Sequence, residues 1–216
     1  MATMTNPARS ERLAYVAAAE EFGAHGATLC DPWDVAALSA HIVLRESRPD
    51  VAPGIMIPAL AGRLERAQTE LAGIDFAALV DRVRNGPPVW SPARLALVDD
   101  AVNLVEFYVH TEDIRRANGQ EPRTLPADVE RALGRTLKRL GVLMFRSSPV
   151  GVTLEPTGRT PYAVHPPTDL GEVHLAGPVG ELLLAAYGRI RVARVEATGS
   201  QEAIAALSAA DLGFGG

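Results

Sequence analysis

Glu106 and His110 stand four residues apart in Glu106-Phe-Tyr-Val-His110. On a helix that spacing puts a carboxylate and an imidazole on one face, one turn apart. Side chains so placed can reach a single divalent cation together. A third ligand must then come from another helix, and His41 lies in the middle of the second helical stretch. Two histidines and a carboxylate with open positions describe a catalytic zinc site or another divalent site. The same spacing also serves plain helix ion pairs. It recurs at Glu21 and His25, so spacing alone leaves both readings open.

The surroundings of the pair narrow the choice. Asp99, Asn103, Glu106, His110 and Asp113 recur at three- and four-residue steps, with Leu97, Ala101, Leu104, Val105 and Tyr108 to their sides. A polar stripe on a buried helix face is costly unless its members pair or bind an ion. Asp113, one turn from His110, is placed to hold the second ring nitrogen of that histidine. Arg45 and Arg48 offer guanidinium forks for a carboxylate, or surface ion pairs. Cys30, with Asp31 next to it and no histidine nearby in sequence, reads as a structural thiol. Trp33 and Trp90 read as packing residues. His165 falls in a proline-rich turn, and His174 alternates with Val173 and Leu175 and so points away from a core.

Helices must carry most of these groups. Tyr15, Ala18, Ala19 and Phe22 give the helical period over residues 7–25. Asp31 is a good N-cap, Pro32 suits a first helical position and Asp34 a first turn, which predicts a helix from Pro32 to about Glu46. Arg48-Pro49-Asp50 ends it, and 51–57 is a connection. Helical patterning returns over 58–72 and 75–84, Asn85-Gly86-Pro87-Pro88 breaks it, and a long helix spans 91–117 before Asn118-Gly119. This is an up-and-down helical bundle. After one more helix over 126–145 the period changes to alternation, with short strands at 151–155, 172–176 and 192–197. Helices follow Gly177-Pro178, through Tyr187, and span 202–207. The expected fold class is therefore mainly α with a small α+β C-terminal part. Residues 1–120 form the bundle and 121–216 the smaller domain, with the boundary somewhere in 120–150.

Composition excludes several classes. The net charge of −5 lacks the basic excess of a nucleic-acid binder. An apolar content of 47% is too high for a disordered chain. A single cysteine cannot form an internal disulfide, which suits a reducing compartment. No apolar run approaches the roughly 20 residues of a membrane span. Arg9, Glu11 and Arg12 stand where the apolar part of a leader would begin, so a cytoplasmic location is expected.

The segment Cys30-Asp-Pro-Trp-Asp-Val-Ala-Ala-Leu-Ser-Ala-His41 resembles the one leading to the first metal histidine in the DinB-like superfamily. More closely it resembles the actinobacterial branch that includes mycothiol-dependent maleylpyruvate isomerase. Ile42-Val-Leu-Arg-Glu-Ser-Arg-Pro-Asp50 and Glu106-Phe-Tyr-Val-His-Thr-Glu-Asp-Ile-Arg-Arg-Ala117 are similar to a subfamily described only as metal-binding. Gly177-Pro-Val-Gly-Glu-Leu-Leu-Leu-Ala-Ala-Tyr-Gly-Arg189 is similar to the sterol-carrier-like C-terminal domain of these enzymes. The resemblance covers nearly the whole chain. It implies a DinB-like four-helix bundle followed by a sterol-carrier-like domain. It implies a metal triad of His41, Glu106 and His110, with zinc the expected ion, and Arg189 as the catalytic arginine of the second domain. Arg189 also has a plain reading as a helix-terminal cation. The implied function is that of a mycothiol-dependent isomerase or thiol transferase, in which the metal activates a low-molecular-weight thiol toward an electrophilic substrate. A reading of a different class stands beside it, a non-catalytic protein that binds a metal or a small apolar ligand.

Overall fold

The computed structural model describes residues 6–47, 61–87 and 99–212. The expected helix stop at 48–50, the 51–57 connection, the helix starts at 58 and 91, and Arg48 and Trp90 lie outside the described residues. The chain divides into two compact units, Met1–Thr124 and Leu125–Gly216. Together they are mainly helical, with one small sheet.

The described residues of the first unit form helices and their connections: α1 (Pro7–Phe22), α2 (Val35–Ser47), α3 (Ala61–Ala72), α4 (Phe76–Asn85) and α5 (Asp99–Ala117). Asn6 caps α1 by accepting from the Ala8 amide at 2.8 Å, and Pro7 fills a position whose amide would have no helical partner. The helix ends at Phe22, short of the expected end at 25, because Gly23 turns the chain at φ +71°. The start of α2 also differs from expectation. Asp31 and Pro32 do not open it. The Trp33 amide donates to the Cys30 carbonyl at 2.7 Å, and the Thr28 hydroxyl donates to the Trp33 carbonyl at 2.6 Å, so residues 30–33 form a closed turn. Asp34 is the cap, accepting from the Ala37 amide at 2.9 Å.

α1 packs along α5, and α2 packs against α3 and α4. Tyr15, Val16, Leu38, Ile42, Leu79, Val83, Phe107 and Ile114 fill the core between them. α5 is buried on apolar and polar sides alike: Val105, Phe107 and Val109 are buried, and so are Asn103, His110, Glu112 and Asp113. From Asn103 to Asp113 its polar stripe therefore faces inward. A second polar group meets α5 one residue away. Glu112 accepts from Arg116 Nε at 2.8 Å and from Arg123 Nε at 2.7 Å, and Arg123 Nη2 donates to Glu11 at 2.7 Å.

The second unit opens with α6 (Ala127–Met144) and continues through β1 (Gly151–Pro156), β2 (Tyr162–His165), β3 (Glu172–Gly177), α7 (Val179–Leu184), β4 (Glu196–Thr198) and α8 (Gln201–Ala209). α7 runs on through Ala185–Arg189, where the chain kinks at Tyr187 and Gly188, the glycine at φ +79°. The sheet order is β2-β1-β3-β4, with β1 and β3 parallel and both outer pairs antiparallel. Val152, Leu154, Val173 and Leu175 are fully buried on one face, against α7. β2 was not expected. Its four residues sit between Pro161 and Pro166 and read as turn, but an edge position tolerates flanking prolines. β4 begins later than the alternation over 192–197 implied. Among the described residues, no helix is long and apolar enough to cross a membrane.

Candidate metal centre

Pairings between the two chain segments run in opposite order. Leu29 donates its amide to the Asp113 carbonyl at 3.2 Å, the His41 ring lies 5.8 Å from the His110 ring, and Arg45 bonds Asn103. The segment from residue 29 through α2 thus passes antiparallel to the polar face of α5. That arrangement brings one ligand atom each from His41, Glu106 and His110 within 4.8 Å of one another. Tetrahedral bonds of about 2 Å separate ligand atoms by roughly 3.3 Å, so small side-chain rotations suffice to close the triad on an ion. Exposure falls with depth. Glu106 has 21% of its side chain exposed, His110 11%, and Asp113 none.

Each imidazole is held from behind. His110 Nδ1 lies 3.0 Å from Asp113 Oδ2, which leaves Nε2 facing Glu106 Oε2 at 3.5 Å. Asp113 therefore stands where it orients a ligand nitrogen. The same Oδ2 accepts from the Cys30 thiol at 3.1 Å, and that sulfur is 3.8 Å from His110 Nδ1. Cys30 is buried, and with His110 and Asp113 it forms a second close group of possible ligand atoms. On the other side, the Trp33 ring lies against the His41 ring with centroids 5.0 Å apart. His41 Nδ1 is buried without a hydrogen-bond partner among the described residues.

These contacts set the charges. Burial, reinforced by the nearby His110, holds the His41 imidazole down at about 4, so it is neutral at physiological pH. Burial alone would raise Glu106, but the bond from His110 and the positive charges of His110 and Arg45 hold it at about 2. Burial alone would lower His110, yet its bonds to Asp113, Cys30 and Glu106 raise it well above its usual value. A protonated His110 thus bridges two carboxylates. The group offers an ionised carboxylate, a neutral imidazole and an imidazole whose outer proton a cation can replace. That donor set fits a divalent metal.

Other residues of interest fall elsewhere. Arg45 lies 3.6 Å from Glu106 and donates to Asn103. Arg189 follows the kink at Tyr187 and Gly188 in the second unit, where its Nη1 donates to the Tyr187 carbonyl at 2.7 Å. His25 does not pair with Glu21. It pairs with Asp34 at 3.2 Å and is almost wholly exposed. His174 lies on the outer sheet face, 2.8 Å from Glu155, and His165 closes β2. Glu112 is not part of an exposed charge cluster but is buried between Arg116 and Arg123. The contact of Cys30 with Asp113 spans 83 positions and carries no local signal.

Two solved structures resemble the chain over most of its length. One is a mycothiol-dependent maleylpyruvate isomerase, at 16% identity, with 89% of this chain and 90% of that chain covered and a TM-score of 0.57. The other is a histidine-to-alanine variant of such an isomerase, at 15% identity with the same coverage and TM-score. This chain shares their fold. No family profile and no curated protein matches its sequence.

Proposed function

We propose that this chain is a divalent-metal-binding protein of the DinB-like four-helix-bundle type. Its ion, zinc by donor type, is held by His41, Glu106 and His110. It uses a low-molecular-weight thiol, mycothiol, on an electrophilic small molecule, in an isomerisation or a thiol transfer. The observation that carries the reading is the convergence of three ligand atoms, beside a buried His41 Nδ1 that has no hydrogen-bond partner among the described residues. The likeness to the isomerase fold supports it.

When bound, the ion supplies the acidity that converts a ligand thiol to its thiolate near neutral pH. The chain's own groups do the rest. Glu106 stays ionised, His41 stays neutral, and Asp113 fixes the ring of His110. Cys30 is buried and engaged by Asp113, so the attacking sulfur belongs to the small thiol. Reversible addition of that sulfur to a double bond allows cis–trans isomerisation, and displacement of a leaving group gives transfer. Arg189 orients a carboxylate of the substrate or the thiol. Residues 1–120 act as the metal-binding domain and 121–216 as a sterol-carrier-like domain. A cytoplasmic setting suits the free thiol of Cys30.

Elemental analysis of purified protein tests the site. About one zinc per chain is expected, falling to near zero in His41→Ala and in His110→Ala. Thiol-dependent consumption of an electrophile, lost in the same variants, tests turnover. Metal that both variants retain would overturn the triad. Metal lost as expected, but with no thiol-dependent turnover across a broad panel of electrophiles, would favour a non-catalytic binding protein.

A further inference from the structure

The inward polar face continues one layer past the triad. Arg45 stands one helical turn beyond His41 on α2, and Asn103 one turn before Glu106 on α5. The Asn103 side-chain oxygen accepts from Arg45 Nη2, and Arg45 Nε lies 3.6 Å from Glu106 Oε2. Only 17% of the Arg45 side chain is exposed, and its Nε is buried without a hydrogen bond. Among the described residues the sole ion pair of Arg45 is with Glu106. Glu106 is also the carboxylate that the proposed function gives to the metal.

One carboxylate cannot neutralise a guanidinium and a divalent cation together. Two other arginines of the unit share no carboxylate with the triad: Arg123 pairs with Glu11 and Glu112, and Arg12 with Glu46. A largely buried cation left short of counter-charge is stable only if an anion joins it. Guanidinium donors match a carboxylate in geometry as well as charge. We propose that Arg45, held in place by Asn103, is a specificity-determining residue that docks a carboxylate of the molecule bound at the metal. The inference rests on the metal reading above. It adds to Arg189 an anion contact from the same helical unit as the triad.

Cobalt(II)-loaded protein tests it without an activity assay. The probes are 3-mercaptopropionate and 2-mercaptoethanol, two thiols that differ in carrying a carboxylate or a hydroxyl. Binding is read from the sulfur-to-cobalt absorption band. The wild type should bind the carboxylate thiol at least about tenfold more tightly, the scale of a charge-assisted hydrogen bond. In Arg45→Met that preference should shrink to about twofold or less, and Arg45→Lys should keep part of it. Affinity for 2-mercaptoethanol, measured in each cobalt-loaded protein, is the internal reference that removes any change at the metal itself. Equal binding of both thiols by the wild type overturns the inference with no variant needed, and so does a preference that survives Arg45→Met. Failure of the wild type to load cobalt would instead sink the metal reading, so the two failures are distinguishable.

Discussion

Glu112 and Asp113 are neighbours on α5, both buried, and they belong to polar groups built on opposite principles. Glu112 joins Glu11, Arg116 and Arg123 in a set of two carboxylates and two guanidiniums, each held by an opposite charge at 2.7 or 2.8 Å. Asp113 begins a stack through His110, Glu106, His41 and Arg45 that ends with two buried nitrogens unpartnered among the described residues, His41 Nδ1 and Arg45 Nε. A buried polar atom without a partner costs about 1–3 kcal/mol. A fold retains such a cost where a ligand removes it. Burial of charge therefore does not distinguish the two groups, but completeness of pairing does; outside both, Arg115 Nε is the other described buried side-chain atom without a hydrogen bond.

The largest stability effect should come from breaking the complete set. Arg123→Ala leaves Glu11 and Glu112 buried with fewer counter-charges, and should destabilise the protein by about 3–5 kcal/mol. Calorimetry would show a Tm lower by roughly 10 °C, while metal content per folded chain stays at the wild-type level. Loss of metal at unchanged stability would reverse the assignment of the two groups.

The incomplete set should respond to pH instead. In chelator-treated protein, folding lowers the His41 pKa from its ordinary 6.5 to about 4. Between those values the unfolded chain binds more protons than the folded one. Stability contributed by the neutral ring is therefore full above pH 6.5 and is lost as pH falls toward 4. The loss should reach roughly 3 kcal/mol, read from urea midpoints across that range. His41→Phe should flatten the dependence. Zinc should restore stability in the wild type, since it binds the folded state, and not in this variant. An acid slope that persists in His41→Phe would assign it to another group.

Asp113 and Glu112 allow the comparison at adjacent positions. Asp113→Asn weakens the hold on His110 Nδ1, and metal affinity should fall by about 10–100-fold in a competition titration with a chromophoric chelator. Glu112→Gln should leave that affinity alone and lower the unfolding midpoint. Equal effects of the two substitutions on affinity would mean that both networks serve the metal, and the distinction by pairing would fail.

What could be read in the sequence divides along the same line. The Glu106/His110 spacing and the polar stripe were legible, because a helix places residues three and four apart on one face. His41 was a plausible third group, since it lies mid-helix. Asp113 as the holder of His110 was legible for the same reason, but the partners distant in sequence were not. Cys30 meets Asp113 across 83 positions and Arg123 meets Glu11 across 112. Such contacts depend on how helices pack, which no local pattern encodes. Errors of local structure had local causes. β2 was hidden between prolines that an edge strand tolerates. Gly23 ends α1 at Phe22, the last member of its apolar series and short of the expected end at 25.

The smallest predicted effect concerns the start of α2, where two aspartates compete for one role. Pro32 made Asp31 the better cap by pattern, but only Asp34 bonds a helical amide, that of Ala37 at 2.9 Å. Asp34→Ala should therefore cost about 1 kcal/mol, and Asp31→Ala should stay within about 0.5 kcal/mol, as surface changes usually do. His25 also touches Asp34, but the ring is 93% exposed, and an ion pair there is screened by water. His25→Ala should leave the denaturation curve unchanged, which isolates the cap as the cause. The cap sits two turns ahead of His41. If the fraying it prevents reaches that far, zinc affinity in Asp34→Ala should fall severalfold. If affinity is unchanged, packing of Leu38 and Ile42 in the core holds His41 without help from the helix end.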